Sequence, residues 1–142
     1  KYDCGSLKNK KFPKQKPVKK EKIPTLQEVF DLVLKSDLPH AKKVEFNIET
    51  KLFPHEPDST PSPEEFAQLL YKLIEKNNLV GRVIVQSFDY RSLKEIKRLN
   101  PKVRTSQLIS DNLLDLTAVA KSLSVDYISP DWKWITAEEV RK

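Results

Sequence analysis

Apolar residues recur along the chain with two alternating periods, and the changes of period mark out the elements. Leu26, Val29, Phe30, Val33 and Leu34 repeat at helical spacing. Thr25-Leu26-Gln27-Glu28 is a capping box, in which hydroxyl and carboxylate each satisfy a free backbone N–H, so a helix is predicted from Thr25. Ser36 to Lys42, with Pro39, breaks it. A strand follows from Val44 to Lys51, then a loop over 52–61 carrying Pro54, Pro57 and Pro61. Ser62 as N-cap, Pro63 at the first helical position and Glu65 closing a box start the next helix. Its stripe is Phe66, Leu69, Leu70, Leu73 and Ile74. Arg82 to Phe88 reads as a strand, and Asp89 caps a helix carrying Leu93, Ile96 and Leu99, ended by Pro101. Val103 to Ile109 is a strand. A helix with Leu113, Leu116, Val119, Ala120 and Leu123 leads to a short strand from Val125 to Ser129. A last capping box, Thr136 to Glu139, opens a further helix.

Strand and helix alternate four times, which means parallel strands with right-handed crossovers. The last three strands begin near residues 82, 103 and 125. That spacing suits the compact units of a (β/α)8 barrel, although an open doubly wound sheet has similar units. The expectation is an α/β fold, a partial (β/α)8 TIM barrel with about half its strands.

One strand departs from the usual composition. Parallel strands are normally apolar on both faces. In Val44 to Lys51, Val44, Phe46 and Ile48 point one way and Glu45, Asn47, Glu49 and Lys51 the other. The apolar side suits a helix layer. The polar side would line a barrel interior, nearest the C-terminal end where barrel enzymes hold their sites. One reading has Glu49 holding a hard cation with Lys51 on an anion beside it. The other has a Glu49–Lys51 structural pair, or a wet edge strand.

Composition narrows the field. The chain has 142 residues, 38% hydrophobic and 32% charged, a usual balance for one globular domain. No stretch is apolar for long enough to span a bilayer as a helix. One cysteine, Cys4, excludes an internal disulfide framework and a cysteine-based zinc site, and two glycines exclude Gly-rich phosphate loops. Methionine is absent and residue 1 is Lys, so the chain is expected to be a processed product or a piece of a longer protein. Residues 1–22 hold nine lysines against Asp3 and Glu21, a net of +7, and the remainder holds 17 basic and 18 acidic groups, giving the whole-chain +6. The domain reading is a Lys/Pro-rich loop segment over 1–22 and a barrel-like domain over 23–142. The basic segment reads as a solvated loop. Its functional alternative is contact with a phosphate-bearing surface, and no nucleic-acid partner is expected because no series of aromatics interleaves with the lysines.

Four stretches resemble the glycerophosphodiester phosphodiesterase family, in the family's order. Asp3-Cys4-Gly5-Ser6 with Phe12-Pro13 is similar to its loop ahead of the first long helix, and Ile23-Pro24-Thr25-Leu26-Gln27-Glu28-Val29 to its helix start. Asn47-Ile48-Glu49-Thr50-Lys51 is similar to its metal-binding strand. Val85-Gln86-Ser87-Phe88-Asp89, with Leu93 and Pro101, is similar to the next unit, and Ile128-Ser129-Pro130 to a later strand. The resemblance implies a TIM-like barrel that hydrolyses glycerophosphodiesters to glycerol 3-phosphate and an alcohol with a divalent cation, Mg²⁺ or Ca²⁺. It puts Glu49 on a metal ligand and Lys51 on a phosphate-facing lysine. Asn47, Gln86, Ser87 and Trp132 become pocket-lining candidates.

The family's opening "H-R-G" and its later "H-D" do not occur in this sequence, nor do the "E-x-D" strand that supplies its other metal carboxylates and its "W-T-V-N" strand. The catalytic histidines are therefore not identified within the chain, and the stretch alone is expected to be inactive. His40 and His55 read as exposed loop residues; His55 matches no family position, but it follows the Glu49 strand and is the one candidate acid or base in the chain. Trp132 and Trp134 follow the last strand, either touching substrate or packing a rim loop. Asp126 and Asp131 read as solvent-facing or capping groups. A reading from a different class is a non-catalytic protein that binds anionic lipid or polyanion through its Lys-rich start. Compartment, oligomeric state and preferred alcohol are not legible.

Overall fold

The structure is a computed structural model, and it describes residues 3–141. It falls into two compact units, divided between Lys42 and Lys43.

The first unit holds a closed loop and one helix. The loop is fastened at its base by the Cys4 N–H to the Glu21 carbonyl (2.8 Å) and the Val18 N–H to the Gly5 carbonyl (3.0 Å). Within it, Gln15 accepts from the Asn9 N–H at 2.9 Å and donates to the Leu7 carbonyl at 2.9 Å. The lysine-rich segment is therefore an ordered loop. Gly5 has no room for a side chain: a Cβ there would lie 2.1 Å from the Val18 carbonyl oxygen. Helix α1 (Leu26–Leu34) starts at the expected box, with Glu28 accepting from the Thr25 N–H at 2.7 Å and Thr25 Oγ1 from the Glu28 N–H at 3.2 Å.

The second unit is a parallel sheet, β1 (Phe46–Glu49), β2 (Val83–Ser87), β3 (Arg104–Ile109) and β4 (Tyr127–Pro130), in spatial order β1-β2-β3-β4. Helices α2 (Pro63–Lys76), α3 (Tyr90–Leu99) and α4 (Leu116–Leu123) connect the strands in turn. Sequential order with every strand parallel is how a barrel is wound. A doubly wound sheet reverses at a switch point, and none occurs among the described residues. Phe46, Val83 and Val85 face the helices and are buried with Ala67, Leu70, Ile74, Leu93 and Ile96. Each such large side chain contributes about 1.5–3 kcal/mol on leaving water.

Element edges differ from the sequence expectation where a side chain captures backbone groups. The first strand was expected from Val44. The Val44 carbonyl instead accepts from Arg82 Nε at 2.9 Å and Nη2 at 2.7 Å, and ladder pairing begins at Phe46. Leu113 was placed on the fourth helix. Asp115 caps that helix, accepting from the Ala118 N–H at 2.8 Å, and Leu113 precedes it. On α2 the Ser62 half of the expected box forms, at 3.2 Å to the Glu65 N–H. Leu69, expected in the stripe, is exposed, while Ala67 is buried. The Thr136–Glu139 box forms, but it closes a 3-10 turn (Glu139–Arg141) rather than an α-helix within the described residues.

Candidate functional site

In a parallel sheet, residues in register share a face. Glu49, Gln86, Ser106 and Tyr127 form one such row, and Asn47, Ile84 and Arg104 another. This is the polar face, opposite the helices. Arg104 reaches across it to Glu45 at 2.6 Å, near the N-terminal ends of the strands. That hydrogen bond raises the Arg104 pKa further. Ser106 and Ser129 hydroxyls meet at 2.7 Å higher up. Polar side chains thus occur on this face of all four strands, with Ile84 and Leu108 among them.

At the C-terminal end of β1 the predicted residues gather. Lys51 Nζ lies 2.6 Å from Glu49 Oε1, and their side chains are 60% and 25% exposed. The pair is half in water, so its Coulomb energy is screened and it contributes little to stability. Lys51 Nζ also stands 5.7 Å from the centroid of the Phe88 ring, at the end of β2. One row below, Asn47 Nδ2 donates to Gln86 Oε1 at 3.1 Å. Glu49, Lys51, Asn47 and Gln86 therefore form one cluster.

Ser87 takes the other side of β2, because adjacent strand residues alternate. It is fully buried. Its hydroxyl donates to the Thr50 carbonyl at 2.9 Å and accepts from the Asp89 N–H at 3.0 Å. Thr50 Oγ1 meets Ser92 Oγ at 2.8 Å, and Ser92 Oγ donates to the Asp89 carbonyl at 3.1 Å. With one proton per hydroxyl, Thr50 is the donor to Ser92. The four residues close a ring that joins the ends of β1 and β2 to the start of α3. Sequence periodicity marked Thr50 only as the residue between Glu49 and Lys51, with no sign of this role.

Trp132 lies in the turn after β4 and is 78% exposed. Trp134 Nε1 donates to the Ser110 carbonyl at 3.1 Å, tying that turn to the end of β3. Asp131 caps the same turn, accepting from the Lys133 N–H at 3.1 Å. Asp126 is a clamp rather than a solvent-facing group. It accepts from the Thr105 N–H at 2.7 Å and from Lys97 Nζ at 2.6 Å. Burial opposes its ionisation, yet Lys97 and the Thr105 N–H outweigh that, and its pKa is lowered. His55 is exposed in the loop after β1, 3.7 Å from Glu56, and His40 is exposed ahead of β1.

The donor set can be judged for a hard cation. Glu49 offers carboxylate oxygen, and with Asn47 Nδ2 on Gln86, the Asn47 amide presents its oxygen separately. Both are of the right kind and on the right face. Among the described residues no three His, Cys, Asp or Glu side chains converge into a cage. These residues fit one edge of an oxygen shell, and other oxygens must complete it.

Two features of the site were not read from the sequence. Phe88 was seen only as the end of a strand, although it approaches Lys51. The Glu45–Arg104 bridge was unmarked because the two residues are 59 positions apart.

Comparison with known proteins agrees with this architecture. The model of the Glycerophosphoryl diester phosphodiesterase family matches residues 3–139. A glycerophosphodiester phosphodiesterase of Bacillus subtilis (strain 168) is 35% identical over 150 aligned positions, covering 99% of this chain and 47% of that protein. Two solved structures share the fold. The first, described as a candidate glycerophosphoryl diester phosphodiesterase of Silicibacter pomeroyi, has a TM-score of 0.78 and 21% identity over 92% of this chain and 45% of its own. The second, similarly described, from Galdieria sulphuraria, has a TM-score of 0.71 and 23% identity over 96% and 52%. The chain thus spans about half the length of these relatives. A parallel sheet wound in sequential order, a polar face ending in Glu49 and Lys51, and a family match over nearly the whole chain lead to one conclusion: this chain belongs to the glycerophosphoryl diester phosphodiesterase family.

Proposed function

We propose that this chain is a stretch of an enzyme that hydrolyses glycerophosphodiesters to glycerol 3-phosphate and an alcohol. The observation that carries the reading is the Glu49–Lys51 pair, 2.6 Å apart at the C-terminal end of a parallel strand and on the polar face. A phosphodiester is anionic and gains charge on its phosphoryl oxygens during displacement, so the site needs positive charge aimed at those oxygens. Lys51 supplies one such charge on a stem steadied by Phe88. Glu49 would hold a divalent cation, Mg²⁺ or Ca²⁺, with Asn47 beside it. Bound there, the cation would act as a Lewis acid on the phosphoryl oxygens. Gln86 orients Asn47 by accepting a hydrogen bond from its Nδ2. Ser87 serves the site from behind, fixing the Thr50 backbone between Glu49 and Lys51. Trp132, exposed on the same rim, would border the leaving alcohol. The protons of the reaction are assigned to groups in the half of the relatives that this chain does not span.

The test is Glu49→Gln in the full-length enzyme that carries this stretch. Loss of a charge-stabilising group of this kind is expected to lower kcat by roughly 10²–10³-fold, with metal affinity falling in parallel. Full activity and unchanged metal dependence in E49Q would refute the ligand assignment.

A further inference from the structure

We propose that the lysine-rich loop of residues 3–22 is a docking surface for an anionic lipid bilayer, in addition to and independent of the phosphodiester site. Three observations carry it. The loop is preformed, closed by the Cys4–Glu21 and Gly5–Val18 backbone bonds and braced by Gln15. Its charge is unspent: among the described residues Lys8, Lys10, Lys11, Lys14, Lys16, Lys19 and Lys20 are exposed and none forms an ion pair. Asp3, one of its two acids, uses its carboxylate on the Ser6 N–H and hydroxyl and on the Lys20 N–H.

The third observation selects the partner. Phe12 and Val18 stand between these lysines and Leu7 directly precedes the first, exposed at 62%, 51% and 73%. Apolar side chains set among cations suit the headgroup–acyl boundary, where the charges meet anionic headgroups and the apolar groups enter. A nucleic acid would reward planar guanidinium groups and several stacking rings. The segment has no arginine, and Phe12 is the one aromatic between its lysines. Ordering before contact also lowers the entropy lost on docking.

The experiment is sedimentation of the full chain with phosphatidylcholine vesicles, with and without phosphatidylserine, at low and raised salt. Expected is binding only to the phosphatidylserine vesicles, weakened by salt. Each of K10Q, K11Q, K14Q and K16Q should lower the partition coefficient by roughly fivefold. F12A should lower it at either salt concentration while leaving the salt dependence unchanged. Among the described residues these four lysines form no ion pair, so circular dichroism of the lysine variants should match the parent. Equal binding to both vesicle types, no binding to either, or undiminished binding of a variant combining K10Q, K11Q, K14Q and K16Q would overturn the proposal. So would stronger binding to a single-stranded oligonucleotide than to the vesicles.

Discussion

The ring formed by Thr50, Ser92, Asp89 and Ser87 makes a quantitative prediction for Ser92→Ala. The substitution removes the acceptor of the Thr50 hydroxyl, 2.8 Å away, and a donor to the Asp89 carbonyl at 3.1 Å. Thr50 and Ser92 are 1% and 0% exposed, so water cannot replace the lost partner without rearrangement. A buried donor left unmade costs about 1–3 kcal/mol. Alanine returns about 0.5 kcal/mol through its better helix propensity in α3. The net loss is then about 1.5 kcal/mol. With a urea slope near ~2 kcal/mol/M, the unfolding midpoint should fall by about 0.8 M. Urea titration of the chain followed by circular dichroism reads this directly. Thr50→Val removes the stranded hydroxyl while keeping its shape, and replacing both members of a pair is far cheaper than replacing one. Adding S92A to T50V should therefore cost less than about 0.5 kcal/mol more than T50V alone. Additive singles, or a midpoint for S92A within about 0.2 M of the parent, would show that the ring does not hold the junction.

Acid should act through two clamps. The Arg91 hydrogen bond to Asp89 lowers its pKa below the ordinary 3.8, and Lys97 with the Thr105 N–H does the same for Asp126 against burial. A depressed carboxylate stabilises fully above its unfolded value, and the contribution is lost as pH falls through the folded value. The thermal midpoint should thus hold down to about pH 4 and drop below it, and Arg91→Ala should make that drop shallower. An acid profile unchanged by R91A would remove Asp89 from the account. Gly5→Ala places a Cβ 2.1 Å from the Val18 carbonyl oxygen and 2.6 Å from Glu21 Cβ. It should speed amide exchange at Cys4 and Val18 by about tenfold or more, as the backbone is forced apart. Unaltered exchange there would mean that the loop closes by other contacts. In the full-length enzyme, Lys51→Ala should lower kcat/KM while leaving the metal requirement in place. A shifted metal requirement would tie Lys51 to the cation instead of the phosphate.

Much of this architecture was readable because periodicity and capping are local. Thr25 with Glu28, Ser62 with Pro63, and Asp89 ahead of Leu93 each signal a helix start within four residues, and all three helices begin there. The polar alternation at Glu45, Asn47, Glu49 and Lys51 exposed the site face for the same reason. What was not readable depends on residues that are distant in sequence. Arg82 shortens β1 from 38 positions away, and Thr50 meets Ser92 across 42. Ser87 illustrates the limit of a motif: it neighbours Gln86 in the chain, but strand geometry turns it to the opposite face.

The two tryptophans of the chain, Trp132 and Trp134, both follow β4 on the rim where Glu49 ends β1. All of the indole fluorescence therefore originates at that rim. Trp132 faces water and should emit far to the red and quench readily with iodide, whereas Trp134, held to the Ser110 carbonyl, should respond less. Ligand arrival at the rim is thus open to optical detection without a label. The same placement makes tryptophan emission a local gauge that can change while the sheet stays intact.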